Sequence, residues 1–192
     1  VKSNIYCILG KSGAGKSTLK KELQKYGIIP LHECTTRPKR PGEKNGEDYY
    51  FFTEDEFRKS NIISKTCYKT DHGTWCFGIM KEEIEEGKNY CLVINPFQYQ
   101  EVVENFNDQA SIIPIWIVTN EEQRILNMIL REEKKEKPDY KEVCRRIKSD
   151  AEDFSENNEI IKNILSKVIV CNGFNVPMEE IAEELYYKIY SR

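Results

Sequence analysis

Apolar residues in this chain come in short blocks separated by amphipathic stretches. Ile-Tyr-Cys-Ile-Leu at 5–9 is a continuous apolar run, the pattern of a strand buried on both faces. Residues 17–26 then place apolar side chains at helical spacing and stop at Gly27, which predicts a helix. Further strands are predicted at 28–34, 91–94, 112–118 and 168–171, and further helices at 80–86, 97–105, 121–136 and 178–190. Thr53 with Glu56, and Asn120 with Gln123, have the spacing of a capping box at a helix start. Strands separated by helices of this length predict an α/β fold, a parallel sheet covered by helices on both faces. Two stretches break the alternation. Residues 35–79 are punctuated by Pro and Gly and then rich in Tyr, Phe, Thr and Trp, as expected of a small strand-rich insertion. Residues 132–146 are almost wholly polar and read either as a solvated helical hairpin or as a mobile lid.

Composition narrows the function more than the fold. A chain of 192 residues, 39% hydrophobic, suits one domain with a sizeable core. The balance of 29 basic against 32 acidic residues argues against a dedicated nucleic-acid binder. No apolar run approaches the length of a membrane span, and the mean hydropathy is -0.65. The first residues show no charged-then-apolar signal pattern, so a cytoplasmic location is expected, as a monomer or dimer without membrane or nucleic-acid partners. Seven cysteines, at 7, 34, 67, 76, 91, 144 and 171, include no CxxC pair and several lie in apolar runs. They read as reduced structural thiols, with an inducible Cys67–Cys76 disulfide as the residual reading. Two histidines without ligand spacing argue against structural zinc.

The first candidate chemistry lies at Gly10-Lys11-Ser12-Gly13-Ala14-Gly15-Lys16-Ser17, which matches GxxxxGK(S/T) between a predicted strand and a predicted helix. Glycines let the backbone curl until successive N–H groups point at phosphate oxygens, and the helix N-terminus adds its positive end. Gly10, Ser12, Gly13, Ala14, Gly15, Lys16, Ser17 and Thr18 are therefore candidate ATP-binding residues. Lys16 would bridge the β- and γ-phosphates, and Ser17 would ligate Mg²⁺.

The second lies just beyond the second strand. Thr35-Thr36-Arg37-Pro38-Lys39-Arg40-Pro41-Gly42-Glu43-Lys44-Asn45-Gly46-Glu47-Asp48-Tyr49-Tyr50-Phe51 puts two arginines three apart on a Pro-stiffened loop. Their planar guanidinium forks can converge on one phosphate, with the Tyr49 hydroxyl suited to the same group. Asn45-Gly46 reads as a turn that fixes Tyr49 relative to the arginines.

This string fills every fixed position of TTRxxRxGExxGxDYxF, and with the phosphate loop upstream the chain resembles the guanylate kinase family. The resemblance implies a P-loop NTPase core over 1–34, 88–130 and 147–192, a monophosphate-binding insertion over 35–87 and a lid over 131–146. It implies ATP and Mg²⁺ as cofactors, and Arg37, Arg40 and Tyr49 as holders of the GMP phosphate. Arg131 and Arg146 align with lid arginines that reach the transferred phosphoryl group, and with Lys16 they are the candidate catalytic residues; Arg145 lies beside them. Lys134, Lys135 and Lys137 read as solvating charges, and the family's RGTE lid motif is absent.

The chain departs from the family where the base would be read. Glu33 stands where the family has Ser, and Ser64 where it has a Glu that binds guanine. Val-Ile-Asn-Pro at 93–96 replaces an acidic LDID strand, leaving Asn95 to support Mg²⁺ through water. The YG(S/T) triplet falls on Phe77-Gly78-Ile79 or on His72-Gly73-Thr74. Glu33 and Asp71 are candidate replacement readers, so the acceptor set is Arg37, Arg40, Tyr49, Glu33, Ser64 and Asp71. The expected activity is ATP-dependent phosphorylation of a nucleoside monophosphate, GMP first. The alternatives are another monophosphate or a phosphorylated sugar, and a binding module without turnover.

Overall fold

A computed structural model describes residues 2–155, 159–166, 168–172 and 176–190, with the backbone alone for 170–172, 189 and 190. In chain order the elements are β1 (Ser3–Leu9), α1 (Lys16–Gln24), β2 (Ile29–Pro30), β3 (Glu33–Thr35), β4 (Tyr50–Phe51), α2 (Glu54–Lys59), β5 (Ile62–Thr70) and β6 (Gly73–Met80). They continue as β7 (Asn89–Val93), α3 (Pro96–Phe106), β8 (Ala110–Val118), α4 (Glu121–Glu133), α5 (Tyr140–Asp153), α6 (Glu159–Leu165), β9 (Ile169–Asn172) and α7 (Met178–Tyr190).

The unbroken apolar run of β1 is explained by its two covered faces. Ile5, Cys7 and Leu9 pack with Tyr99, Val102 and Phe106 of α3 and Ile164 of α6. Tyr6 and Ile8 pack on the other side with Leu19 and Leu23 of α1 and with Ile181, Ala182 and Leu185 of α7. β1 is the middle strand of a parallel sheet ordered β2-β7-β1-β8-β9. The chain fills one side of β1 with β2 and β7 and then crosses to β8 on the other. The carboxyl end of β1 is thus the switch point of the sheet, where α/β folds open a crevice. A second sheet, ordered β4-β3-β6-β5, is built around the antiparallel β5–β6 hairpin.

Several expectations need correction. The single strand predicted at 28–34 is two strands in two sheets. Leu31 N–H still bonds Cys91 C=O of β7, whereas the next carbonyl, His32 C=O, accepts from Met80 N–H of β6. The first sheet's ladder thus ends at Leu31, and the chain passes to the second sheet at His32; Pro30 is tolerated because β2 is an edge strand. The helix predicted at 80–86 is absent: β6 runs to Met80 and no helix follows before β7. Glu82 instead accepts from His32 N–H, and Glu85 N–H and C=O bond Tyr90 and Ser3. The Glu85 N–H is thereby taken from any helical ladder, and the Glu82 side chain anchors the segment to His32. Thr53 and Glu56 do form a reciprocal capping box, but Asn120 caps α4 through Glu122 N–H while Gln123 bonds Asn127.

The polar stretch 132–146 is a helical hairpin, the end of α4 and the start of α5, yet not a wholly solvated one. Glu132 and Glu142 within it are buried. Reduced thiols hold for Cys7, Cys34, Cys91 and Cys144, and the Cys171 side chain lies outside the described residues. Cys67 and Cys76 are disulfide-bonded across paired positions of β5 and β6, with their Cα atoms 4.0 Å apart. Among the described residues no helix is long and apolar enough to cross a membrane.

Candidate active site

The loop after β1 carries the first half of the site. Gly15 caps α1 in the left-handed region (φ 95°) and no side chain caps the helix, so its first N–H groups are left for a ligand. Gly13 has φ 81°, and a Cβ there would lie 2.2 Å from Arg124 C=O, so only glycine lets the loop pass α4. Lys16 folds back over the loop, its Nζ donating to Gly10 C=O at 2.6 Å and Lys11 C=O at 3.1 Å. Burial beside Arg146, Arg131 and Arg124 lowers its pKa to about 8, with Asp150 opposing.

The loop is gripped from outside by α4 and α5. Asp150 accepts from Ser12 N–H at 3.0 Å and from Ser12 Oγ at 3.1 Å, and its Oδ2 also takes Arg124 at 3.0 Å. Lys11 pairs with Glu121 at 2.5 Å, and Asn127 donates to Gly13 C=O at 3.0 Å.

The second half lies across a cavity of about 560 Å³ lined by Gly10, Gly15, Lys16, Ser17, Arg37, Arg40, Tyr49, Arg131, Arg145 and Arg146, among others. Thr35 Oγ1 bonds Cys76 C=O and accepts from Arg37 N–H, which ties the arginine loop to β6. Arg37 is buried, donates to Glu43 at 2.8 Å and lies 5.8 Å from the Tyr49 ring centre. Glu43 also accepts from Arg40 N–H at 2.7 Å, so one carboxylate sets both arginines. Burial, then Arg146, Arg37 and Arg131, depress the Arg40 pKa, though a guanidinium stays charged. Burial raises Tyr49, keeping its hydroxyl a donor.

The arginines of the α4–α5 hairpin reach the same cavity. Arg145 and Arg146 both bond Glu142, with Nε–O distances of 2.6 and 2.7 Å. Burial alone would raise the Glu142 carboxyl, but these two arginines hold it at about 2. Burial and Arg146 depress Arg131, and the Nε–H of both Arg131 and Arg37 is buried without a partner. Arginines 37, 40, 131, 145 and 146 thus face one space, although 37 and 146 are far apart in sequence. Such a cluster is electrostatically incomplete and suits a polyanion.

The other acceptor candidates are placed differently. Glu33 lines the cavity but forms a buried ion pair with Lys20 of α1, which takes it off a phosphate. Burial disfavours the Lys20 charge, yet Glu33 outweighs it and raises the pKa. Ser64 is buried, bonds Glu101 on α3 and is outside the cavity lining. Asp71 is exposed at the β5–β6 turn, 3.7 Å from Lys141, where neighbouring His72 bonds Asp139 at 2.9 Å. Neither Ser64 nor Asp71 is positioned to read a base in this cavity. The His72-Gly73-Thr74 option falls with them, since Phe77 and Gly78 are the lining residues.

Asn95 is spent as the cap of α3 and as donor to Thr66 and Tyr68, so it is not a free support for a metal. Among the described residues no group of three or more His, Cys, Asp or Glu could hold a metal ion. Of the loop's hydroxyls, Ser12 is held by Asp150, while Ser17 and Thr18 line the cavity. Lys134 and Lys135, expected to be solvating, border an adjoining cavity of about 250 Å³. Sequence reasoning missed Asp150, Arg124, Glu43, Glu142 and Lys20. Of these Glu142 carried a signal, three and four residues before the arginines it holds, and so did Glu43, three residues after Arg40 at a fixed position of the TTRxxRxGExxGxDYxF string.

The guanylate kinase family model matches residues 2–185. Similar proteins include guanylate kinases of Thermotoga maritima (48% identical over 61 residues, 31% of this chain and 30% of that protein) and Rhodopirellula baltica (41% over 88 residues, 43% and 42%). The Lactobacillus acidophilus guanylate kinase is 32% identical over 118 residues, 58% of each chain. These alignments span from about a third to just over half of the relatives' lengths. The crystal structure of guanylate kinase from Anaplasma phagocytophilum matches 99% of this chain and 86% of its own, with a TM-score of 0.60 at 22% identity, which shows the shared fold.

Proposed function

The chain belongs to the guanylate kinase family, and from that premise we propose that it transfers the γ-phosphoryl group of ATP to a nucleoside monophosphate, GMP giving GDP. The observation that carries this reading is one cavity with a phosphate loop on one wall and the Arg37–Arg40–Tyr49 cradle on the other. Gly10 to Thr18 would hold the triphosphate of ATP, and Arg37, Arg40 and Tyr49 the acceptor phosphate. Transfer between them needs no covalent intermediate: alignment of the two phosphates and neutralisation of spreading charge do the work. Lys16, Arg131 and Arg146 would supply that neutralisation, with Glu142 orienting Arg146. Insertion 35–87 and lid 131–146 are the parts proposed to close on the core.

Mg²⁺ fits this site as an ion carried by the nucleotide. It would take the Ser17 hydroxyl, phosphate oxygens and water, a set that suits an ion reluctant to dehydrate. Bound there it would offset charge on the β- and γ-phosphates.

Departures at the base end favour a second reading, transfer to another nucleoside monophosphate or to a phosphorylated sugar. Ser64 faces Glu101 and Glu33 faces Lys20, so neither replaces the family's guanine reader. A binding module without turnover is less well supported, because Lys16, Ser17 and the loop glycines are all in place. Coupled ADP release across GMP, AMP, CMP, dTMP and a sugar phosphate separates the three. The proposal expects GMP to be fastest; a faster acceptor of another class, or Mg·ATP binding without turnover, replaces it.

The lowered Lys16 pKa gives a pH prediction. The ammonium is charged below about pH 8 and is lost above it. Bound phosphates favour the charged form, so a proton is taken up with ATP at higher pH. The ATP dissociation constant should be flat from pH 6.5 to 7.5 and then rise, approaching roughly tenfold per pH unit for one linked proton. Calorimetry in two buffers of different ionisation heat would show the uptake. A flat constant to pH 9.5 would mean that Lys16 does not meet the triphosphate.

A further inference from the structure

Part of the cavity wall is built of rings. The Tyr49 ring, beside Arg37, makes an edge contact with Phe77 at 6.2 Å between centroids, and Phe77 makes another with Tyr68 at 6.1 Å. All three line the cavity, so a path of aromatic side chains leads from the acceptor's phosphate anchor to Tyr68. A nucleoside monophosphate held by its phosphate at Arg37, Arg40 and Tyr49 would lay its base along Phe77 and Tyr68.

Almost every hydrogen-bonding group along that wall is already used. Asn95 donates its amide protons to Thr66 and Tyr68, its oxygen accepts from Gln98 N–H, and Gln98 Oε1 accepts from Asn95 N–H. Three carboxylates line the cavity. Glu33 is held by Lys20 near the phosphate anchor, and Asp150 by Ser12 and Arg124. The third, Asp153, is half-buried at the last turn of α5, lies near the Tyr68 hydroxyl and accepts from Ser149 Oγ at 3.4 Å. A carboxylate has about four lone-pair sites, so most of its acceptor capacity stays unused.

We propose that Asp153 is the residue that recognises the acceptor's base, accepting hydrogen bonds from the N1–H and 2-amino groups of a guanine stacked on Phe77 and Tyr68. This assignment rests on the transfer reading above. It supplies from helix α5 the carboxylate that the insertion lacks at Ser64. Tyr68 is a positioning residue: its hydroxyl accepts from Asn95 and lies beside Asp153, and the Arg145 guanidinium packs on its ring at 5.3 Å. Burial raises the Asp153 pKa, as expected of a carboxylate awaiting donors from a ligand. Selectivity of this kind is strong, because a base lacking the donors leaves a half-buried carboxylate unpaired.

GMP and IMP differ only in the 2-amino group, so their ratio reads this contact directly. Steady-state kinetics and calorimetric binding of both nucleotides would be measured on the wild type, Asp153→Asn and Tyr68→Phe, with thermal melting as a check on folding. The wild type should prefer GMP by about 10- to 100-fold, the worth of a hydrogen bond to a charged group. Asp153→Asn should bring the ratio to within about threefold, mostly through the KM for GMP, and Tyr68→Phe should lower it part of the way. Equal losses on GMP and IMP, or a wild-type ratio near one, would overturn the assignment. If GDP forms but the ratio ignores Asp153, only the base reading falls. If GMP binds selectively through Asp153 without turnover, only the transfer reading falls.

Discussion

Replacing Lys16 by alanine should lower the rate of phosphoryl transfer by about 10²- to 10³-fold, the cost of removing one preorganised charged donor from a transition state. The loop itself should survive. Lys16 Nζ touches only the carbonyls of Gly10 and Lys11, whereas residues 11–13 are held by Glu121, Asp150 and Asn127. The substitution also removes a buried ammonium from a space with Arg124, Arg131 and Arg146, relieving repulsion in the ligand-free protein. The melting temperature should therefore stay within a few degrees of wild type and GMP binding should be unchanged. Rapid-quench measurement of GDP formation, together with GMP titration, tests both halves. A Lys16→Ala protein that transfers at the wild-type rate would remove the donor loop from the reaction.

Arg40→Ala should act on the other substrate. Truncating one member of a desolvated charge pair costs about 2–3 kcal/mol, roughly 30- to 150-fold in the KM for the acceptor, with a smaller change in kcat. Arg40 is the arginine to test because its neighbour is tied more deeply into the fold. Arg37 is buried against Glu43, so Arg37→Ala leaves a part-buried carboxylate unpaired and should also destabilise the protein. The side chain of Arg40 lies only 3.7 Å from Glu43 at its nearest and is crowded by Arg146, Arg37 and Arg131, so its loss should leave stability unchanged or slightly improved. Initial rates against GMP at saturating ATP read the effect. An unchanged KM for GMP would mean that the acceptor phosphate sits elsewhere.

The parts of the site legible in the sequence are those written within one loop. Residues 10–18 and 35–51 each hold their chemistry in consecutive positions, so spacing alone suggested what they could bind. The electrostatic frame around them was illegible because its partners are remote. Asp150 meets Ser12 across 138 residues, and Lys20 meets Glu33 from a helix on a different layer. Hydrophobic runs located β1, β7 and β8, but no run reveals that one sheet's ladder ends at Leu31 and that His32 already bonds the other. The Cys67–Cys76 bond was recoverable. Positions 67 and 76 are equidistant from the Asp71–His72 turn, so treating 62–80 as one hairpin pairs them directly. What misled the reading of 80–86 was its helix-like composition, which tertiary bonds from Glu82 and Glu85 override.

Donor loop and acceptor cradle line a single cavity, and direct transfer requires that one ligand can occupy both at once. Calorimetric binding of an adenosine and a guanosine joined 5′ to 5′ by five phosphates tests it most directly, since such a molecule must occupy both halves at once. The account predicts one molecule bound per chain, tighter than ATP or GMP alone, excluding both nucleotides and weakened by Lys16→Ala and by Arg40→Ala. Binding no tighter than ATP, with GMP still able to bind alongside and Arg40→Ala without effect, would contradict it.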